Sequence, residues 1–313
     1  MLFVLSSAAR FHAKPAADCV LRSTPRLQQK TRGLVAELKR LEAKDIKKQL
    51  HVNDALAKQY AQSLSNFEKE KPVTACNLYD SPFWNGFDAA SFEQDDADWA
   101  NDYVRVFSGL YGLLRPFDEI QPLSLPVVLG TKLKNSKGNF LRDYWREPIT
   151  KELSDGLKHL PMPVIVNLAS EEDSQVLDLD ALPEYTHMTT IDFKMVKKGD
   201  VAEAKGEFLR WALENRCMTV EDLLEFRGLI EEDEEATFRL SPKASKGNTI
   251  VFEENIGEGG DGGWSKKLAE SGKGKTAFLK EVIKGKKNKY MKSEINKAFA
   301  KESKQKRKAH AVY

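Results

Sequence analysis

The sequence predicts a mixed α/β domain over residues 1–254 with a flexible basic tail over residues 255–313. Two patterns carry the first part. Short apolar runs at Leu2–Leu5, Val104–Phe107 and Val164–Val166 have the length and β-branched content of buried strands. Between them lie segments with apolar residues at helical spacing. A third pattern sets the boundary. After Glu254, glycines 257, 259, 260, 262 and 263 crowd together, the composition of a linker.

The elements follow in order. Leu2–Leu5 is the first strand, and residues 10–25 read as irregular. Leu34, Leu38 and Leu41 give a helix over Leu27–Leu41. Asn53 is placed to cap a helix reaching Phe67, with Leu56, Tyr60 and Leu64 on one face. Residues 74–94 read as an aromatic loop. Asp95 or Asp96 opens a helix to about Tyr103. Asn139–Lys158 is helical, with Pro148 a point of kinking. Thr186–Phe193 is extended, and Ala204–Cys217 is helical. Thr219 and Asp222 form a capping box for a helix over Val220–Phe226. Ala236–Leu240 and Asn248–Glu253 flank a Pro/Ser/Gly turn and read as a hairpin.

Charge is segregated. Residues 255–313 hold 16 Lys and Arg against 6 Asp and Glu, whereas residues 1–254 hold 33 against 41. An acidic body therefore carries a basic tail, although the formal net charge is only +2. The 3 cysteines, Cys19, Cys76 and Cys217, are far apart and odd in number, which fits a reducing compartment and buried structural thiols, with a peroxide-sensing thiol as the alternative. The histidines show no metal-ligand spacing, so neither a metal nor a cofactor is expected. The apolar start stops after five residues and reads as a strand rather than a signal peptide. No stretch is long enough to cross a bilayer. The expected location is cytoplasmic, with nuclear import an alternative given the basic tail. The sequence leaves organelle targeting and oligomeric state open.

Each of the three strands runs into a polar cluster. Ser6 and Ser7 follow the first, Ser108 and Gly109 the second, Asn167 and Ser170 the third. Parallel placement in one sheet would gather all three at its carboxyl edge, where open α/β sheets bind ligands. Polar residues also end strands generally, so each cluster taken alone has a purely structural reading. The segment Ser108-Gly109-Leu110-Tyr111-Gly112, followed by Arg115, has two glycines that allow close backbone approach and a cation that could hold a phosphate. A Gly-x-x-Gly turn also occurs in helix-hairpin-helix modules. The structural alternative is a tight strand-to-helix turn with Arg115 paired to Asp118.

The run from Ser108 to Asp118, with Ile120, Gln121 and Pro122 after it, resembles the central signature of the YaaA family. Other blocks occur in that family's order: Leu5, Ser6 and Ala8; Leu141, Tyr144 and Trp145 with Ile149 and Thr150; Val166–Ser170 with Glu172; and Ala204, Gly206 and Glu214–Arg216. The resemblance implies a compact body with a central mixed sheet flanked by helices and a positively charged cleft. It implies a part in peroxide-stress resistance through restraint of iron-driven damage, with a helix-hairpin-helix-like element and non-specific DNA binding. It assigns no enzymatic activity. The sequence departs from the family pattern at several cations. Ala9 stands where the family has lysine, with Arg10 adjacent. Ser124 and Pro126 fall where the family has arginine and glutamate, Ala202 and Glu203 replace paired lysines, and Lys205 replaces an arginine.

Ligand or phosphate contact is thus expected from Ser6, Arg10, Ser108, Gly109, Tyr111, Gly112, Arg115, Asn167, Ser170 and Lys205. In the tail, Lys284, Lys286, Lys287, Lys289, Lys304, Lys306, Arg307 and Lys308 form runs that bind phosphate backbone. Three readings stay open. One is a non-enzymatic, DNA-associated stress protein. Another is an enzyme acting on a small phosphorylated or nucleobase-bearing ligand, with Glu172 or Ser6 as catalytic candidates and Arg115 holding an anion. The third is a scaffold that has lost its ligand. The lack of a histidine near these motifs leans against an enzyme.

Overall fold

A computed structural model describes residues 1–12, 21–123, 125, 127–129, 133–135, 138–158, 160, 163–195, 200–229 and 236–255. The chain opens with β1 (Leu2–Ser6) and β2 (Arg10–Phe11), then α1 (Gln28–Leu38), α2 (Ala43–Leu50) and α3 (Asp54–Asn66). Short elements follow: β3 (Val73–Thr74), α4 (Ala75–Leu78), β4 (Tyr79–Asp80) and α5 (Pro82–Phe87). Next come α6 (Gln94–Tyr103), β5 (Val104–Ser108), β6 (Gly112–Leu114), β7 (Glu119–Ile120) and α7 (Leu141–Leu157). The chain continues through β8 (Val164–Asn167), α8 (Glu171–Ser174), β9 (His187–Lys194), α9 (Val201–Glu214) and α10 (Val220–Leu223). It closes with β10 (Phe238–Leu240) and β11 (Thr249–Glu254).

Among the described residues, seven strands form one mixed sheet in the order β10-β11-β9-β8-β1-β5-β6. The strands β11, β9, β8, β1 and β5 are mutually parallel, while β10 and β6 pair antiparallel at the two edges. β1 lies between β5 and β8, with Phe3 opposite both Val104 and Val166. Its Phe3, Val4 and Leu5 are at most 1% exposed, which is why the run reads as continuously apolar rather than alternating.

Helices cover the sheet. α7 packs near Leu2, the methyl of which lies 3.6 Å from where a Cβ on Gly156 would sit. Toward the β9 side, Phe193, Phe208, Trp211, Phe226, Phe238 and Phe252 interlock through stacked and edge-on ring contacts. α9 crosses α5 with backbones in contact. A Cβ on Gly206 would run into the Phe83 carbonyl oxygen, and one on Gly86 into that of Glu203. Only glycines allow that approach.

The caps foreseen from sequence are present. Asn53 Oδ1 accepts from the Leu56 N–H at 2.8 Å. Thr219 and Asp222 make the reciprocal capping box, although the α-helix it opens ends at Leu223. α9 starts at Val201 because Asp200 Oδ1 accepts from the Ala202 N–H at 2.7 Å.

Three expectations need correction, and one helix, α2, appears where the sequence reading assigned no element. Residues 74–94 are not a loop but short helices and strands folded round a ring cluster, with Tyr79 between Phe11 and Trp84. Arg10 and Phe11 lie in β2, paired with β4. Residues 43–50 form α2, held to α3 by Lys47 on Asp54 at 2.9 Å. The turn after β5 leads to a strand, not a helix: β5 and β6 are an antiparallel hairpin with Ser108 opposite Gly112.

Candidate functional site at the carboxyl edge of the sheet

The strands β8, β1 and β5 are adjacent and parallel, so the loops that follow them leave the sheet side by side. Ser6, at the end of β1, is half-buried. Its Oγ accepts from the Ser170 N–H at 3.0 Å and donates to Ser170 Oγ at 3.5 Å. Ser170 in turn caps α8, its Oγ accepting from the Asp173 N–H at 3.1 Å. Asn167 is buried. Its Oδ1 accepts from the Ala169 N–H at 3.1 Å, and its Nδ2 donates to Thr190 Oγ1 at 3.3 Å. On the other side, the Ser7 N–H donates to the Phe107 carbonyl at 3.0 Å.

The hairpin Ser108–Gly112 completes the edge. Ser108 Oγ accepts from the Tyr111 N–H at 3.2 Å, closing the turn. Gly112 has φ +74° and its Cα faces the Trp145 ring, so both conformation and space demand glycine. Gly109 packs under the backbone of residues 127 and 128, and its carbonyl accepts from Trp145 Nε1 at 2.7 Å. The glycines of this motif therefore serve close packing. The Gly-x-x-Gly turn joins two strands, with neither flank a helix.

Two buried phenols stand behind the serines. Tyr79 is 2% exposed, and burial pushes its hydroxyl up to about 12 despite hydrogen bonds with Ser108 and Ser7. Tyr111 is raised further, again chiefly by burial, and its hydroxyl accepts from the Gln121 N–H at 2.9 Å. Both stay protonated at neutral pH. The edge is thus lined by neutral hydroxyls and amides that can orient a polar ligand by hydrogen bonding. Charged residues lie at its margin: Arg10 is exposed on β2, and Lys205 lies 3.4 Å from Asp192. Glu171 and Glu172 are exposed on the first turn of α8.

The structure brings together Ser6, Ser108, Gly109, Tyr111, Gly112, Asn167 and Ser170. It does not bring Arg115 there. β6 runs back along β5, with Leu114 opposite Val106, so Arg115 emerges toward the amino end of the sheet. Its Nε and Nη2 donate to Asp118 Oδ1 at 3.2 and 2.9 Å, and Nη2 also reaches the Thr24 carbonyl at 3.2 Å. The pairing foreseen as the structural alternative is the one observed. The constellation of Ser6, Glu172 and Arg115 round one ligand is not assembled.

Ala9 is exposed beside Arg10, and Ala202 and Glu203 lie on the first turn of α9. Ser124 and Pro126 lie outside the described residues, as do Cys19 and all eight tail cations from Lys284 to Lys308. Cys76 and Cys217 are 3% and 5% exposed, and burial, with Asp222 nearby, pushes the Cys217 thiol up to about 12. Among the described residues no group of three or more His, Cys, Asp or Glu could hold a metal ion. No helix among them is long and apolar enough to cross a membrane.

An open, largely parallel sheet flanked by helices, with polar loops collected at its carboxyl edge, defines a mixed α/β protein. The sequence profile described as peroxide stress protein YaaA matches residues 1–231, and the chain belongs to that family. Similar proteins include a UPF0246 protein of Maricaulis maris, 33% identical over 235 residues, covering 72% of this chain and 88% of the relative. A UPF0246 protein of Caulobacter vibrioides is 32% identical, with 72% and 91% covered. One of Cupriavidus pinatubonensis is 35% identical over 184 residues, with 56% and 70% covered.

Proposed function

We propose that this protein serves in the response to peroxide stress by binding DNA without sequence preference, chiefly through residues 255–313. Iron-driven damage is then limited indirectly, by shielding the polymer rather than by holding the metal. The family supports the stress role. The observation carrying the rest is charge segregation: 16 Lys and Arg against 6 acids after residue 254, and 33 against 41 before it. The strand edge itself offers neutral hydroxyls, with Glu171 and Glu172 beside them, so polyanion affinity falls to the tail.

The test is a fluorescence-anisotropy titration of a short DNA duplex at several salt concentrations. The comparison is between the wild type and a chain with Lys284, Lys286, Lys287, Lys289, Lys304, Lys306, Arg307 and Lys308 changed to Gln. Wild-type affinity should fall steeply with salt, at roughly 0.9 log units per log of salt for each phosphate contacted. The substituted chain should bind weakly with a shallow slope. Equal binding by both, or none at low salt, overturns the reading.

A second reading rests on the meeting of Ser6 and Ser170: the carboxyl edge orients a small neutral or nucleobase-bearing ligand by hydrogen bonds. A thermal-shift screen of nucleosides and nucleotides against the wild type and Ser6→Ala decides it. A shift present only in the wild type supports it, and no shift from any of them removes it.

A further inference from the structure

At the opposite end of the sheet, three guanidinium groups meet two carboxylates. Arg105 lies on β5 and is 8% exposed. Its Nη1 donates to the Val104 and Asn101 carbonyls at 2.8 and 3.1 Å, capping the C-terminus of α6. That role accounts for one nitrogen. Nε and Nη2, the edge of a guanidinium that grips an oxyanion with two parallel N–H groups, have no partner among the described residues.

The nearby carboxylates are already used. Asp118, 1% exposed, accepts from Arg115 Nε, Arg115 Nη2, the Arg115 N–H and Ser23 Oγ. Glu152 accepts from Arg26 Nη1 at 2.6 Å. Arg105 has no carboxylate within ion-pair distance among the described residues, while the charges of Arg26 and Arg115, and more weakly those of their partners Glu152 and Asp118, act on it. Burial first, and then those two cations, pull its guanidinium down to about 10, so it remains charged at neutral pH. Three guanidinium groups against two carboxylates leave one positive charge uncompensated, and it sits on the buried arginine with a bidentate edge able to grip an oxyanion.

We propose that Arg105, with Arg26 and Arg115 beside it, forms a binding site for a phosphate-sized oxyanion at the amino end of the sheet, remote from the carboxyl-edge site. The inference is independent of the nucleic-acid reading, because it uses no residue of the tail.

The test uses the full chain and inorganic phosphate as probe. Thermal unfolding is followed in phosphate and in chloride at matched pH and ionic strength, for the wild type, Arg105→Gln and Arg26→Gln. The wild type should gain several degrees in phosphate over chloride, and isothermal calorimetry should show saturable binding. Both variants should lose most of that gain, while the eight-residue tail variant keeps it. Arg26 is half-exposed on its side chain, so Arg26→Gln decides the matter should Arg105→Gln fail to fold. No phosphate-specific gain in the wild type, or an equal gain in Arg26→Gln, overturns the proposal.

Discussion

Ser6 and Ser170 are 164 residues apart in sequence, yet the Ser170 N–H donates to Ser6 Oγ at 3.0 Å. This bond ties the end of β1 to the cap of α8 and sets the distance between two of the three loops at the carboxyl edge. Replacing Ser6 with Ala removes the acceptor. The expected cost is about 1 kcal/mol, since water reaches Ser170 and softens the loss. Urea denaturation reads it, and an unchanged midpoint would show that the loops are held apart from this contact.

Trp145 is the deeper brace. It is fully buried, its Nε1 donates to the Gly109 carbonyl at 2.7 Å, and its ring lies against Gly112. Trp145→Phe leaves that carbonyl without its donor and opens a gap beside the hairpin. Together these should cost about 2–4 kcal/mol. A loss under half a kcal/mol by the same denaturation would refute the role.

Gly206 tests the helix crossing. Gly206→Ala places a methyl against the Phe83 carbonyl, which belongs to backbone and cannot swing away. The change should destabilise by about 1–3 kcal/mol despite the better helix propensity of alanine. A gain in stability would mean that α5 and α9 sit farther apart.

His187 gives a pH signature. It is 8% exposed, its Nε2 is buried with no hydrogen-bond partner among the described residues, and burial lowers its pKa from 6.5. The unfolded chain therefore takes up the proton first as pH falls. Its contribution is complete above pH 6.5 and is lost as pH drops toward the lowered folded value. The slope from this one group is at most about 1.4 kcal/mol per pH unit. His187→Gln should flatten the stability profile between neutral pH and pH 5. Superimposable profiles would exclude this residue as the source.

The cysteines bear on peroxide directly. A thiol held near 12 carries almost no thiolate, so Cys217 in the native protein should resist iodoacetamide and hydrogen peroxide at neutral pH. Cys76, 3% exposed, should behave alike. Both should label once the chain is unfolded in urea, as mass spectrometry of digested peptides would show. Rapid native labelling of either would reinstate a thiol-based sensor.

Much of the fold was legible because it is local. The apolar runs at β1, β5 and β8 and the caps at Asn53 and Thr219 report on their own neighbourhoods, and each is where the sequence places it. Strand order is not local. That β1 is flanked by β5 and β8, and so delivers Ser6 to Ser170, required the sheet itself. Arg115 shows the same limit from the other side. It follows the Gly-x-x-Gly turn by only three residues, but the hairpin reverses direction and carries it to the far end. The aromatics at 79–92 misled for a different reason: their rings pack on one another rather than at a regular period, so neither helix nor strand spacing shows. Arg105 gave no signal, since a lone arginine in an apolar strand carries no spacing pattern.

The two outermost strands of the seven-stranded sheet, β6 and β10, are each three residues long and antiparallel to the strand they flank. Each offers a neighbour's backbone a template of only three residues, and such short edge strands are one device by which sheets avoid the lateral stitching that leads to aggregates. That matters under oxidising conditions, when partially damaged chains accumulate and a long bare margin would recruit them.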